Sequence, residues 1–167
     1  MKDLIRELGP LALASRLKRI SDRLYRDVSQ LYSELDVEME ARWFPLLHLL
    51  ANHEALAVTD IAARVGMTHP AVHQIASSMS DAGLLESNSD KQDLRRRLLN
   101  LSPKGERIAT ALLPVWASIH DEVDALLVEF DAEFLTKLDR LEACLDNSEL
   151  YDRVKPKLNG QADAPAN

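Results

Sequence analysis

The feature that most limits this chain is a pair of short helices set off by their own start and stop signals. Thr59 suits the N-cap of a two-turn helix from Asp60 to Val65, and Gly66 suits a left-handed terminator. Thr68 then caps a second helix with Pro70 in its first turn, where a missing N–H is harmless. That helix runs to about Asp81 before Gly83 stops it. Two short helices joined by a brief Gly-containing turn make a helix-turn-helix. On the second helix Val72, Ile75 and Met79 form an inward stripe, while Pro70, His73, Gln74 and Ser77 share the opposite face. Residues 68–80 contain no acid. A short polar face of this kind is what a helix lying in a DNA major groove presents.

The flanking segments complete a mostly helical frame. Leu13, Leu17, Ile20, Leu24, Val28 and Leu31 recur at spacings of three and four, which predicts a long amphipathic helix from Pro10 to about Leu35. Gly9 separates it from a short helical turn at residues 3–8, and a second helix contains Phe44 to Ala51 with Pro45 in its first turn. After Gly83 the run Leu84 to Ser87, a polar turn and then Arg95 to Leu101 read as a two-stranded hairpin with a charged tip. Ser102 and Pro103 restart a helix as N-cap and first helical residue. Its stripe of Ile108, Leu112, Val115, Ile119, Val123, Leu126 and Leu127 extends past Pro114, where a bend is expected. Asp131 is placed to cap a last helix carrying Phe134, Leu138, Leu141 and Leu145 on one face, and residues 148–158 add a weak final turn or helix.

Composition agrees with this reading. A chain of 167 residues with 46% hydrophobic and 28% charged residues is one ordinary globular domain, and 5% aromatics with five Gly and seven Pro disfavours an all-β sandwich. A single cysteine, Cys144, excludes an internal disulfide and a multi-cysteine metal site. No apolar run has the length of a signal peptide or a membrane span, so the chain is read as soluble and cytoplasmic. Residues 159–167 are small and polar enough to form a disordered tail. No Gly-rich phosphate loop, nucleophile elbow or metal-spaced His/Glu cluster is present, so no catalytic residue, cofactor or metal is expected. Acid pairs such as Asp121 and Glu122 read as a solvated helix face.

The net charge of −7 argues against nucleic-acid binding until it is divided along the chain. Residues 106–152 carry nine more acids than bases, whereas residues 91–104 hold five basic residues and one acid. The excess acid belongs to the C-terminal helices and leaves the hairpin basic.

Asp93-Leu94-Arg95, five residues, then Leu101-Ser102 resembles the D-x-R-x5-L-T wing signature of MarR-type (multiple antibiotic resistance regulator) transcription factors, and Pro-Lys-Gly-Glu-Arg after it resembles the start of their fifth helix. The order of elements agrees over roughly residues 10–147. The resemblance implies a winged helix-turn-helix lobe at 36–102, with residues 1–35 and 103–158 as dimerisation helices of a single domain spanning 1–158. It also implies an obligate homodimer that binds double-stranded DNA and acts as a repressor relieved by a small anionic or phenolic effector or by another chemical signal. Ser102 stands where the family usually has Thr, which keeps the capping hydroxyl. Gln92 stands where many relatives carry another basic residue.

The expected DNA contacts are therefore Thr68, His69, Pro70, His73, Gln74 and Ser77 on the recognition helix, with Lys91, Gln92, Asp93, Arg95 and Arg96 on the wing. The resemblance assigns Arg95 to the minor groove, where a guanidinium suits the negative potential, with Asp93 orienting it. Alternation along a strand sends Arg95 and Arg97 one way and Arg96 the other, so the three cannot share one task. His69 and His73 are four apart, but HPAVH lacks a metalloprotease Glu and a third ligand. Trp43, His48 and His53 are read either as packed core and interface or as a wall of the effector pocket. Cys144 reads as a packed thiol. The rival readings are a winged helix used only for protein–protein interaction and a metal- or redox-sensing regulator of the same fold.

Overall fold

The computed structural model describes residues 2–89 and 97–162. It divides into two compact units, Met1–Leu113 and Pro114–Asn167.

The first unit opens with α1 (Leu4–Glu7), N-capped by Asp3, and a 3-10 turn over Gly9–Ala12 that contains Pro10. Next comes α2 (Leu13–Glu34). It ends in a Schellman turn: Asp36 N–H donates to Ser33 O and Val37 N–H to Tyr32 O, with Asp36 left-handed at φ 55°. A 3-10 turn at Ala41–Trp43 leads into α3 (Phe44–Ala51), as the position of Pro45 predicts.

The helix-turn-helix then forms from α4 (Val58–Val65) and α5 (His69–Asp81). Gly66 takes φ 65° and closes α4, with Met67 N–H donating to Ala62 O. Thr68 caps α5 as expected, its Oγ1 accepting from Ala71 N–H at 3.4 Å. Gly83, at φ 73°, ends α5 in a third turn of this kind through Leu84 N–H to Met79 O. The start of α4 differs from expectation. Its N-cap is Ala57, without a side-chain cap, because residues 56–57 are already committed to a strand; Thr59 sits inside the helix.

That strand, β1 (Leu56–Ala57), is an element the sequence pattern does not reveal. It pairs antiparallel with β3 (Arg97–Leu101), matching Leu56 with Leu99, and β3 pairs on its other side with β2 (Leu85–Ser89). The result is a three-stranded sheet in the order β1-β3-β2. The core lies between this sheet and the surrounding helices, with Leu47, Ile61, Val72, Met79, Leu84 and Leu112 almost fully buried.

From Ser102 the chain enters α6 (Pro103–Asp131), which runs through Pro114 and so crosses the division between units. Its buried residues, Gly105, Ala109 and Leu112, all belong to the first unit. The second unit continues with α7 (Phe134–Asn147) and α8 (Leu150–Ala162). Asp131 closes α6 instead of capping α7 directly: its carboxylate accepts from Glu133 N–H at 3.0 Å and from Lys137 at 2.5 Å. The Lys137 hydrogen bond, more than any other contact, holds the Asp131 pKa below the usual carboxylate value. α8 reaches Ala162, past the point where a tail was expected to begin. Cys144, expected to be packed, is exposed on α7. No helix among the described residues is long and apolar enough to cross a membrane.

Candidate nucleic-acid interface

The face of α5 is built by two opposing demands. Val72, Ala76 and Met79 turn inward and are buried, which fixes the helix on the lobe. Helical geometry then sends His69, Pro70, His73, Gln74 and Ser77 outward, and each is exposed, as is Thr68 at the cap. Six of the sequence-predicted residues thus lie on one polar, acid-free surface at the start of the helix. Side chains of this length offer hydrogen-bond donors and acceptors to base edges or phosphates, and the N-terminal end of a helix favours anions.

The far end of α5 is tied down by a compact network. Ser102 Oγ donates to Gly83 O at 2.6 Å and accepts from Gly105 N–H at 3.1 Å, so one hydroxyl caps α6 and anchors the turn after α5. Ser102 N–H donates to Leu84 O. Lys104 Nζ donates to Ala82 O at 3.0 Å and to the Glu38 carboxylate at 2.6 Å. The hydrogen bond from Lys104 lowers the Glu38 pKa below its ordinary 4.5.

The wing is framed by β2 and β3. Arg97 lies at the start of β3, and its Nε donates to Ser87 Oγ at 3.1 Å, which commits that guanidinium to the sheet. Asn88 and Asn100 bond across the ladder at 2.9 Å. The predicted wing contacts Lys91, Gln92, Asp93, Arg95 and Arg96 lie outside the described residues.

Trp43, His48 and His53 sit in three different settings. Trp43 is buried, and its indole Nε1 has no hydrogen-bond partner among the described residues. His48 is exposed and stacks near Phe44, with ring centroids 5.4 Å apart. Both ring nitrogens of His53 are occupied: Nδ1 lies 2.8 Å from Leu49 O, and Nε2 lies 2.9 Å from Arg64 Nη1. A carbonyl accepts and a guanidinium donates, an arrangement that matches the tautomer with its proton on Nδ1. Its place is at the junction of α3 and α4.

Sequence reasoning did not single out a cleft of about 370 Å³ beside Trp43. Its polar lining is Ser29, Ser33, Asp36, Glu38 and Glu40, and Val37 and Met39 add apolar wall. Glu40 is ion-paired with Arg42 at 2.5 Å. Its sequence signals are Trp43, already read as core or effector-pocket wall, and the three acids at alternate positions 36, 38 and 40 immediately after a helix. Among the described residues no three His, Cys, Asp or Glu side chains converge as a metal site.

A three-stranded sheet packed on a helix-turn-helix, with a polar helix face turned outward, defines a winged helix-turn-helix protein. Residues 38–96 match the MarR family. Solved structures that share the fold include the following three. The S. aureus MepR–DNA complex is 20% identical with a TM-score of 0.68, covering 79% of this chain and 96% of that one. PcaV from Streptomyces coelicolor, a transcriptional regulator solved with its natural ligand, is 23% identical with a TM-score of 0.61, covering 89% and 97%. CouR, a transcriptional repressor bound to a 23-mer DNA duplex, is 23% identical with a TM-score of 0.62, covering 81% and 96%. No curated protein sequence matches the chain.

Proposed function

We propose that this protein is a regulator rather than an enzyme: a homodimeric, sequence-specific, double-stranded DNA-binding repressor whose DNA affinity responds to a small-molecule effector. The observation that carries the reading is the exposed, acid-free face of α5, from Thr68 to Ser77, held on a winged-helix lobe. In this reading residues 36–102 bind DNA, and residues 1–35 and 103–158 form the dimer. His73, Gln74 and Ser77 read bases in the major groove. Lys91, Gln92, Asp93, Arg95 and Arg96 serve the wing, with Arg95 in the flanking minor groove. The match to MarR regulators supports this, as do the DNA complexes of MepR and CouR and the ligand complex of PcaV.

A dimer presents two recognition helices to half-sites about one DNA turn apart. An effector that binds one spacing of those helices better than the other shifts the protein away from DNA.

Selection of bound duplexes from a random pool, followed by titration at several salt concentrations, tests the proposal. Arg95→Ala is expected to weaken binding and to flatten the slope of log affinity against log salt by about one unit per lost phosphate contact. Gln74→Ala is expected to relax sequence preference at one position of each half-site, at a cost of about 1–3 kcal/mol. Failure to enrich any duplex overturns the reading and favours a protein–protein module.

A further inference from the structure

α8 is anchored at its start but covered by nothing in its own chain. Arg153 Nε donates to Ser148 O at 2.8 Å and its Nη2 donates to Cys144 O, so the guanidinium satisfies carbonyls left open where α7 ends. Beyond that bond, residues 150–159 are all exposed. At about 3.6 residues per turn, Leu150, Tyr151, Val154 and Leu158 gather in one arc of the helix, 41–66% exposed. Lys157 borders that arc on one side and Lys155 on the other, its ammonium 5.1 Å from the centroid of the Tyr151 ring. Asp152, the single acid of α8, lies opposite.

α6 carries the reverse pattern. Residues 108–131 contain five acids and no lysine or arginine. Their apolar ridge is uncovered toward its end, where Val123, Leu126 and Phe130 are 39–69% exposed. Glu122 and Glu129 border this ridge on one side and Asp124 on the other, all three exposed. Asp121 is in contact with His120 and Asp131 with Lys137, whereas Glu122, Asp124 and Glu129 have no partner among the described residues. An apolar arc edged by lysines on both sides thus matches an apolar ridge edged by acids on both sides. Pairing like with like fails, because α6 on α6 opposes acid to acid and α8 on α8 opposes lysine to lysine. The match is not made within one chain, since both surfaces stay exposed.

We propose that α8 is a clasp that lies on α6 of a second copy, its apolar arc on Val123, Leu126 and Phe130 and its lysines against Glu122, Asp124 and Glu129. The contact is isologous, so α8 of each copy covers α6 of the other. It rests on the homodimer reading above and deepens it, since that reading assigns residues 103–158 to the dimer without saying what α8 meets. The clasp also places a basic element between two acidic bodies. Residues 106–152 carry nine excess acids in each copy, and the lysines offset the repulsion that pairing them brings.

The test mixes light and isotope-labelled full-length chains, lets them exchange, and treats them with a zero-length reagent that couples amines to carboxylates. Mass spectrometry is expected to find Lys155 or Lys157 joined to Glu122, Asp124 or Glu129 in peptides of mixed isotopic composition. Joined peptides that are all light or all heavy would place α8 on its own chain, and their absence would remove the contact; either result overturns the clasp. Sedimentation reads the consequence. A chain ending at Glu149 is expected to dimerise at least about fivefold more weakly, because the apolar arc is lost with the lysines. Lys155→Glu with Lys157→Glu, in the full chain, is expected to lose at least about threefold, and Lys155→Arg with Lys157→Arg to lose little. Added salt is expected to weaken the parent dimer more steeply than the truncated one. If the truncated chain does not fold, the two full-length lysine variants decide. Truncation that leaves dimerisation unchanged but flattens the salt dependence of binding to a selected duplex assigns α8 to DNA and overturns the clasp. A truncated chain that dimerises as tightly as the parent overturns the clasp alone, whereas a parent that sediments as one chain removes the homodimer reading and the clasp with it.

Discussion

Ser102 and Gly105 fix the join between the recognition helix and α6 through two different demands. Ser102 is buried, and its hydroxyl satisfies both the Gly83 carbonyl and the Gly105 N–H. Removing it leaves the buried Gly105 N–H unpaired and takes away the anchor on the Gly83 carbonyl, so Ser102→Ala is expected to cost about 1–2 kcal/mol in chemical denaturation, and Ser102→Thr, which keeps the hydroxyl, much less. Gly105 is a matter of space. A Cβ there would lie 2.3 Å from Leu84 O, a backbone atom that cannot step aside without moving β2. Gly105→Ala is therefore expected to destabilise by roughly 2–4 kcal/mol or to leave the lobe unfolded. The Ser102 cap was legible in the sequence because Ser-Pro is a helix start; the crowding at Gly105 was not, because it comes from a residue on another element. Charge at this scale carries its own sign. The Glu38 pKa is lowered by Lys104, so the pair is fully formed above the ordinary value of 4.5 and is lost as pH falls through the lowered folded value. A carboxylate-resolved NMR titration is expected to place the Glu38 midpoint below 4.5 in the parent and to raise it in Lys104→Met.

Three helix ends use the same left-handed turn, and comparing them shows what is local and what is not. Gly66 and Gly83 end α4 and α5 with φ 65° and 73°, while Asp36 ends α2 with φ 55° and keeps its side chain. At Gly66 a Cβ would meet nothing within 4 Å, so Gly66→Ala isolates the conformational term and is expected to cost about 1 kcal/mol. Asp36→Gly is the reverse experiment and is expected to gain roughly half that, because glycine removes the strain but adds entropy to the unfolded chain. Opposite signs in thermal melts of the two variants would establish the turn type in both places. The glycines, Thr68 and the prolines gave away α3, α5 and the first turn of α6, since each acts on its own neighbours. β1 escaped notice because two residues show no alternation. It exists through its pairing with Leu98 and Leu99, about forty positions away, and that pairing moved the start of α4 from Asp60 to Val58. On the candidate site, the polar face of α5 could be read from helical spacing alone, whereas the Lys104 bridge depended on tertiary proximity between residues 38, 82 and 104.

At the scale of the molecule the distribution of apolar surface demands a partner. The stripe that predicted α2 is present, but in the single chain Leu13, Leu17, Ile20, Leu24 and Leu31 are each 39–55% exposed, and the only buried residue of α2 is Tyr32. The second unit is more extreme: α7 buries no residue, and Leu126, Phe130, Leu135, Leu150 and Leu158 are more than half exposed. Helices with two apolar ridges and no core are not stable alone in water, since each buried leucine contributes about 1.5–3 kcal/mol only when something covers it. A second copy is the partner the homodimer reading names. Covering these faces in trans makes folding and association one event, so the melting temperature is expected to rise with protein concentration. Sedimentation should give about twice 18.7 kDa at micromolar concentration. Ile20→Glu and Phe130→Glu each place a charge on an apolar face, one in each unit, and both are expected to lower the melting temperature and to make it depend more steeply on dilution. DNA binding by either variant should fall by more than the loss of one phosphate contact explains, because a monomer engages only one half-site. A parent protein that sediments at the mass of one chain, with a melting temperature independent of concentration, would remove the dimer, and the paired half-site geometry would go with it.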